Sequence, residues 1–306
     1  MADAEGRVGL GRGRRGVSSG AIGRLQAYAS LVKLSHSVFA LPFTLLSLLV
    51  ATDGVPSLRL LGLVVAAVVA ARTAAMAFNR WADRRLDAAN PRTKDREVPA
   101  GVVSASRALA LALAAGAAFL LVCWLLAPLC LWLGVPTLLW LYGYSYAKRF
   151  SALCHLWLGT ALGLAPLAAW FAADGAFSAR LGAPLVLGSA VALWVAGFDV
   201  LYACQDDEFD RERGLFSLPV LLGRRAAMWV SRALHLLAFG GFAAFGLMTS
   251  LTSFYLVGVA LAAGLLVWQH RLLRPDDLSR IQAAFFTANG TLAVVMFATG
   301  CLDLYL

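Results

Sequence analysis

Charge is what this sequence has least of. Asp, Glu, Lys and Arg together make up 14% of its 306 residues, against about 25% in an ordinary soluble domain. Beside 60% hydrophobic residues, that shortage excludes a single water-soluble globule, because one buried core cannot hide so much apolar surface. Cysteine is sparse as well. Cys123, Cys130, Cys154, Cys204 and Cys301 form no CxxC pair and no Cys/His cluster, which excludes a zinc-binding framework. They read as small core or lipid-facing residues. The opening segment is rich in Gly and Arg and has no apolar run of the kind a secretory signal needs.

What the chain does have is long apolar runs of bilayer length, roughly 20 residues each. They predict nine membrane spans, near 35–52, 58–79, 106–125, 129–147, 154–172, 183–205, 226–247, 252–270 and 282–302. Pro128 is nearly all that separates the third from the fourth, and fusing those two would invert everything after them. Charge decides between the cases, since Lys and Arg concentrate in cytoplasmic loops. With nine spans and a cytoplasmic N-terminus, all 26 Lys and Arg except Arg59, Arg72 and Arg180 fall on the cytoplasmic side. The expectation is an all-α, multi-pass protein of the plasma membrane. Residues 1–30 form a basic, disordered cytoplasmic tail and 31–306 a single transmembrane domain. The net charge of +9 then fixes orientation and touches anionic lipid head groups of the bilayer. No nucleic-acid binding is expected, and nothing points to a protein partner.

Acids are rarer still and more informative. Of 17, more than half fall in two clusters: Asp83, Asp87, Asp95 and Glu97, then Asp199, Asp206, Asp207, Glu208, Asp210 and Glu212. Ionisable groups at membrane depth are costly and default to a functional reading. In the first cluster Asn79, Asp83 and Asp87 follow one another at i, i+4 and i+8, one stripe of a helix. Three oxygen-bearing side chains so placed suit a hard divalent cation such as Mg²⁺ shared with substrate phosphates. A second reading pairs Asp83 and Asp87 with Arg80, Arg84 and Arg85 at the interface. In the second cluster Asp199, Asp206 and Asp210 stay within roughly 40° of one another on a helix, with Tyr202 beside them. Asp207, Glu208 and Glu212 point elsewhere and read as solvated charge. An even number of crossings separates the two motifs, so both reach the cytoplasmic face. Two carboxylate stripes facing one cavity need cations between them, and two Mg²⁺ ions bridging a diphosphate meet that need. Arg92, Arg96, Lys148 and Arg149 are the candidates to complete a diphosphate site. Each also reads as a positive-inside anchor.

These residues resemble a known family. The run Ala71 to Gly101, with Asn79-Arg-Trp-Ala-Asp83-Arg-Arg-Leu-Asp87 at its centre, is similar to the first signature of the UbiA superfamily of intramembrane aromatic prenyltransferases. The run Gly197 to Pro219, containing Asp206-Asp-Glu-Phe-Asp210, is similar to the second. Ser35 to Pro42 and Tyr146-Ala-Lys148-Arg149-Phe match as well, so the resemblance covers most of the chain after about residue 30. Its nearest branch is the 4-hydroxybenzoate polyprenyltransferase-like group, including members of the futalosine route to menaquinone. Where the commonest first motif has Asp after the Asn, this chain has Arg80, which fits the menaquinone-type branch better.

The resemblance implies nine helices around a central cavity open to the membrane and capped by the motif loops. It implies a polyprenyl diphosphate and an aromatic acid as substrates, with Mg²⁺ held by the two motifs. Diphosphate departure would leave an allylic carbocation that the acceptor ring attacks at carbon, in respiratory quinone biosynthesis. Such a cation needs a dry, aromatic-walled cavity. Phe78, Phe198 and Tyr202 are expected there, beside the motifs. His36 is expected either there or in a structural polar contact. Asp199, deeper than the metal set, is expected to orient the acceptor hydroxyl or take its proton. The rival reading is an ion-coupled secondary transporter with intramembrane Asp sites. Against it, the acids lie at helix ends, and the motif-bearing helices share one orientation.

Overall fold

Apolar runs of this length can satisfy their backbone in lipid only as helices, and helices are what the chain forms. The computed structural model describes residues 28, 30–31, 39–249, 251 and 253–306. Most of the expected tail, and His36, lie outside the described residues. The elements are α1 (Leu41–Ala51), α2 (Leu58–Ala82), α3 (Arg84–Ala89), α4 (Ala105–Leu126), α5 (Pro128–Ala147), α6 (Cys154–Asp174), α7 (Gly182–Ala203), α8 (Asp207–Glu212), α9 (Leu218–Leu222), α10 (Arg224–Thr249), α11 (Phe254–Arg271) and α12 (Ala288–Tyr305). A π-helical turn, Ala283–Thr287, leads into α12.

Among the described residues seven helices are long and apolar enough to cross a membrane. They are α2, α4, α6, α7 with the 3₁₀ turn Ala179–Leu181 before it, α10, α11 and α12 with its π-helical turn. The two other expected intervals hold α1, 11 residues long, and α5, 20 residues long but diluted by Pro, Trp and Tyr. The third and fourth expected spans are separate helices. Ala127 breaks them with φ −163° and ψ 156°, as a residue before proline is driven to do. Pro128 then starts α5, where its missing N–H costs nothing.

Local chemistry sets the other ends. Ser57 and Ser104 accept from the backbone N–H of Leu60 and Arg107 and cap α2 and α4. Gly175, left-handed at φ 68°, stops α6. Trp132, Leu139, Leu236, Leu237 and Leu247 stand exposed on the outer surface, a display that water would punish and lipid accepts.

Packing divides the bundle into two unlike halves. Helices α1, α7, α10, α11 and α12 close on a buried aromatic core containing Phe43, Trp194, Phe198, Phe242, Phe245 and Tyr255. Helices α2, α4, α5 and α6 surround a cavity instead. The halves are joined along α6 and α7 by a seam of glycines. A Cβ on Gly159 would lie 2.1 Å from the carbonyl oxygen of Ala192, and one on Gly163 would lie 2.3 Å from that of Gly188. Only glycine permits this approach, the small-residue packing that holds membrane helices together.

Candidate active site

The ends of α2, α5 and α7 meet at one end of the bundle, and both acidic motifs are there. Neither motif forms one unbroken helical stripe. In the first, α2 stops at Asp83 and the six-residue α3 starts again behind it. In the second, α7 ends at Ala203 and α8 begins only after Asp206. The breaks still aim the side chains inward. Asn79, Asp83, Asp87, Asp199, Tyr202, Asp206 and Asp210 all line one polar cavity of about 200 Å³. Arg92, Arg96, Lys148 and Arg149 line the same cavity.

Each of the four motif carboxylates expected to bind metal is held by one of those four cations. Arg92 donates Nε to Oδ1 of Asp206 at 2.8 Å and Nη2 to Oδ2 at 2.5 Å. Its guanidinium also lies 5.3 Å over the Tyr202 ring and donates to the Tyr202 hydroxyl at 3.2 Å. Arg96 donates to Asp87 at 2.8 Å. Lys148 Nζ lies 2.7 Å from Asp210 Oδ2, and Arg149 donates to Asp83 at 3.0 Å. The interface pairing of Asp83 and Asp87 with Arg80, Arg84 and Arg85 is therefore not what forms. Arg80 instead lies buried 3.9 Å from Glu97.

Loop chemistry aims these cations. Asn90 accepts from the Arg92 N–H at 2.9 Å and donates to Asp206 at 3.1 Å. Thr93 donates to the Asp87 carbonyl at 3.1 Å. Burial raises the Asp83 and Asp210 carboxyls above the ordinary carboxylate range despite Arg149 and Lys148. Burial pushes Asp206 the same way, but the hydrogen bonds from Arg92 prevail and hold it below that range. Burial opposes charge on Arg92 and Lys148, and their carboxylate partners outweigh it and raise both.

A second cavity, about 1080 Å³, joins the first and shares Asn79, Arg92, Arg96, Tyr144, Asp199 and Tyr202 with it. From there it runs between α2, α4, α5 and α6 past Phe119, Cys130 and Phe171 to Val64. Val64 and Asn79 are fifteen residues apart on α2, roughly 22 Å of helix. Phe198 and Tyr202 line this cavity, as expected. Phe78 does not: it stacks on Tyr142 at 4.4 Å and packs beside Trp81. One residue from Asn79 along the chain is about 100° away around the helix. Asp207 is a second correction. It is buried, not solvated, and Arg224 grips it at 2.7 and 2.9 Å.

Sequence reasoning passed over Arg72, Tyr144, Asn90 and His155, all of which line the cavities. For Arg72 and His155 a signal existed, an ionisable group inside an apolar span. His155 Nδ1 lies 2.7 Å from Asp199 Oδ2.

The donor set fits a hard divalent cation. Asp87 Oδ2 is buried without a hydrogen-bond partner, an orphan acceptor inside an oxygen-rich cavity. Among the described residues no three His, Cys, Asp or Glu converge to hold an ion unaided. Mg²⁺ does not require that, since it takes one or two carboxylates and fills its shell with water and phosphate oxygens.

Comparison with known proteins agrees with this architecture. Residues 40–290 match the UbiA prenyltransferase family. The 4-hydroxybenzoate octaprenyltransferase of Vibrio cholerae is 32% identical over 273 residues, covering 87% of this chain and 93% of that protein. The protein of the same name from Nitrosospira multiformis is 31% identical over 288 residues, covering 92% and 96%. The apo structure of a UbiA homolog from Aeropyrum pernix K1 superposes with a TM-score of 0.80 at 34% identity, covering 88% of this chain and 98% of that one. A UbiA homolog from Archaeoglobus fulgidus bound to GPP and Mg²⁺ shares the fold, with a TM-score of 0.67 at 17% identity over 92% and 100% of the two chains. With its paired acidic motifs at one end of an all-helical membrane bundle, this chain belongs to the UbiA prenyltransferase family of membrane enzymes.

Proposed function

We propose that this enzyme transfers a polyprenyl group from a polyprenyl diphosphate to a ring carbon of an aromatic acid, 4-hydroxybenzoate or a dihydroxynaphthoate, in respiratory quinone biosynthesis. It does so in the plasma membrane with its N-terminus and both motifs on the cytoplasmic side. The observation that carries the reading is the junction of two unlike cavities. One is small and lined by paired carboxylates and cations, and it opens into one that is long and largely apolar. A diphosphate with a polyprenyl tail has the same two parts. Relatives named for 4-hydroxybenzoate prenylation, and a fold neighbour that binds GPP and Mg²⁺, support it.

In this reading Asn79, Asp83, Asp87, Asp206 and Asp210 hold Mg²⁺. When bound, the metal neutralises charge on the diphosphate leaving group. Arg92, Arg96, Lys148 and Arg149 turn from their carboxylate partners to the diphosphate oxygens, the arginines as flat forks and Lys148 as a point charge. Tyr202 and Phe198 offer ring faces to the allylic cation, and the apolar walls keep water from quenching it. Arg72, lining the larger cavity, meets the carboxylate of the acceptor. Asp199, at the junction, meets the acceptor hydroxyl. A carrier reading has no support in the long helices α2 and α7, which run unbroken to acids at their ends.

The test is an assay of purified protein with one polyprenyl diphosphate and a panel of aromatic acids, with and without Mg²⁺, reading products by mass. Metal-dependent appearance of a prenylated acid is expected. Absence of any prenylated acid, or an unchanged yield after chelation, overturns the proposal.

A further inference from the structure

We propose that His155 is the positioning residue of Asp199, fixing which carboxylate oxygen meets the aromatic acceptor. The inference rests on the reading of Asp199 as the group that holds the acceptor hydroxyl, and it adds how Asp199 is prepared for that task.

His155 sits in the first turn of α6 and is 1% exposed. Its two ring nitrogens face different partners. Nδ1 lies 2.7 Å from Asp199 Oδ2. Nε2 lies 3.3 Å from the backbone N–H of Leu218 and accepts from it. A backbone N–H is always a donor, so Nε2 presents its lone pair and the ring proton is on Nδ1. The imidazole therefore donates to Asp199, and an ionised carboxylate is the partner that bond favours. A doubly protonated ring would set one N–H against another at Leu218. The backbone of α9 thus selects the tautomer, the role that an oriented partner commonly plays for histidine.

The distance is set by the fold as well. His155, Gly159 and Gly163 follow at i, i+4 and i+8 on one face of α6. That face meets α7 so closely that no Cβ fits at either glycine. On α7 the facing stripe runs from Gly188 through Ala192 and Ala196 to Asp199. The glycine seam therefore ends at the His155–Asp199 bond. With Oδ2 engaged, Oδ1 has no hydrogen-bond partner among the described residues. Asp199 lines both cavities, so the oxygen left over is the one available to an acceptor hydroxyl at their junction.

The experiment compares His155→Leu, His155→Asn and His155→Gln with Asp199→Asn, varying each substrate separately. An asparagine amide N–H reproduces the position of Nδ1, and a glutamine amide that of Nε2. His155→Leu is expected to lower kcat/KM for the aromatic acid roughly tenfold to hundredfold, the worth of a charge-assisted hydrogen bond. The KM for the polyprenyl diphosphate should stay unchanged, which a general loosening of the site would not allow. His155→Asn should recover most of the loss and His155→Gln little of it. In an Asp199→Asn background, His155→Leu should cost nothing further. If Asp199→Asn behaves as wild type, the reading of Asp199 itself fails. If Asp199→Asn is impaired while His155→Leu is not, the positioning role fails. Should the leucine variant not fold, the asparagine and glutamine variants decide, and equal activity in those two overturns the proposal.

Discussion

Arg92 holds Asp206 with two edges of one guanidinium, Nε to Oδ1 and Nη2 to Oδ2, and so ties the loop after the first motif to the start of α8 in the second. Sequence places these residues 114 positions apart. A planar fork makes these as two parallel bonds from separate nitrogens, a geometry the single nitrogen of lysine does not reproduce. Arg92→Lys is expected to lower kcat/KM for the polyprenyl diphosphate by roughly tenfold or more, the scale of one charge-assisted bond, while KM for the aromatic acid changes little. Steady-state kinetics with each substrate varied in turn check this, and wild-type values for Arg92→Lys would show that the fork serves neither substrate.

The metal set makes a harsher prediction. Asp83→Ala, Asp87→Ala, Asp206→Ala and Asp210→Ala are each expected to abolish turnover while the protein still inserts into membranes and purifies as a folded bundle. All four side chains line the same polar cavity, and in the proposed reading losing any of them removes an oxygen ligand from the Mg²⁺ site. Activity like that of wild type in any two of the four would remove the basis for the two-motif Mg²⁺ site.

Much of this site is legible in the sequence because charge is so scarce in it. An Asp at a helix end stands out where the surrounding residues are Leu, Ala and Val, and the spacing of Asn79, Asp83 and Asp87 stands out with it. What the spacing cannot carry is where a helix stops. Both motifs are broken, at Asp83 and between Ala203 and Asp207, and the cavity is the product of those breaks. Pairings across a hundred residues, such as Arg92 with Asp206, have no local signature. Phe78 misleads because adjacency in the chain is not adjacency on a helix. Asp207 misleads because its partner, Arg224, arrives from the start of α10. His155 carries a sequence signal only as an ionisable group inside an apolar span; its role depends on Asp199 and Leu218, 44 and 63 positions away.

The glycine seam between α6 and α7 supports a stability prediction with its own control. Gly163→Ala places a methyl 2.3 Å from a backbone carbonyl, whereas the same change at Gly62 meets nothing within 4 Å. Overpacking costs about 1–3 kcal/mol, and Gly→Ala in an open helix gains about 0.5–1 kcal/mol. Thermal unfolding in detergent should therefore fall for Gly163→Ala and hold or rise for Gly62→Ala. Equal unfolding temperatures for the two variants would mean that the helices part easily at this seam.

Orientation is tested by labelling single cysteines in intact cells. Positions beside Asp95 and Glu212 should be reachable only from the cytoplasm. Asp174, at the opposite end of α6 where Arg180 pairs with it, should be reachable only from outside. The break at Ala127 separates α4 from α5, and two separate crossings put Asp174 outside, so labelling of Asp174 from the cytoplasm would mean that they do not both cross.

Lys148 and Arg96 require a sharper separation, because both also belong to the positive surplus expected to orient the protein. Replacing one cation leaves the rest of that surplus in place, so insertion should survive. The carboxylate partner complicates the result. Lys148→Gln leaves Asp210 buried without its cation, and that alone disturbs the site. The two effects differ in what they do to substrate. A lost phosphate contact costs on the order of 1.5–3 kcal/mol, roughly a tenfold to hundredfold change, and it appears in the response to polyprenyl diphosphate concentration. An unpaired Asp210 lowers turnover without regard to that concentration. Lys148→Gln and Arg96→Gln are expected to raise KM for the polyprenyl diphosphate over this range. Arg274, exposed in the loop between α11 and α12, serves as the control, and Arg274→Gln should leave both constants unchanged. If all three variants share the KM of wild type, Lys148 and Arg96 neutralise carboxylates and anchor the protein, and the diphosphate is held without them.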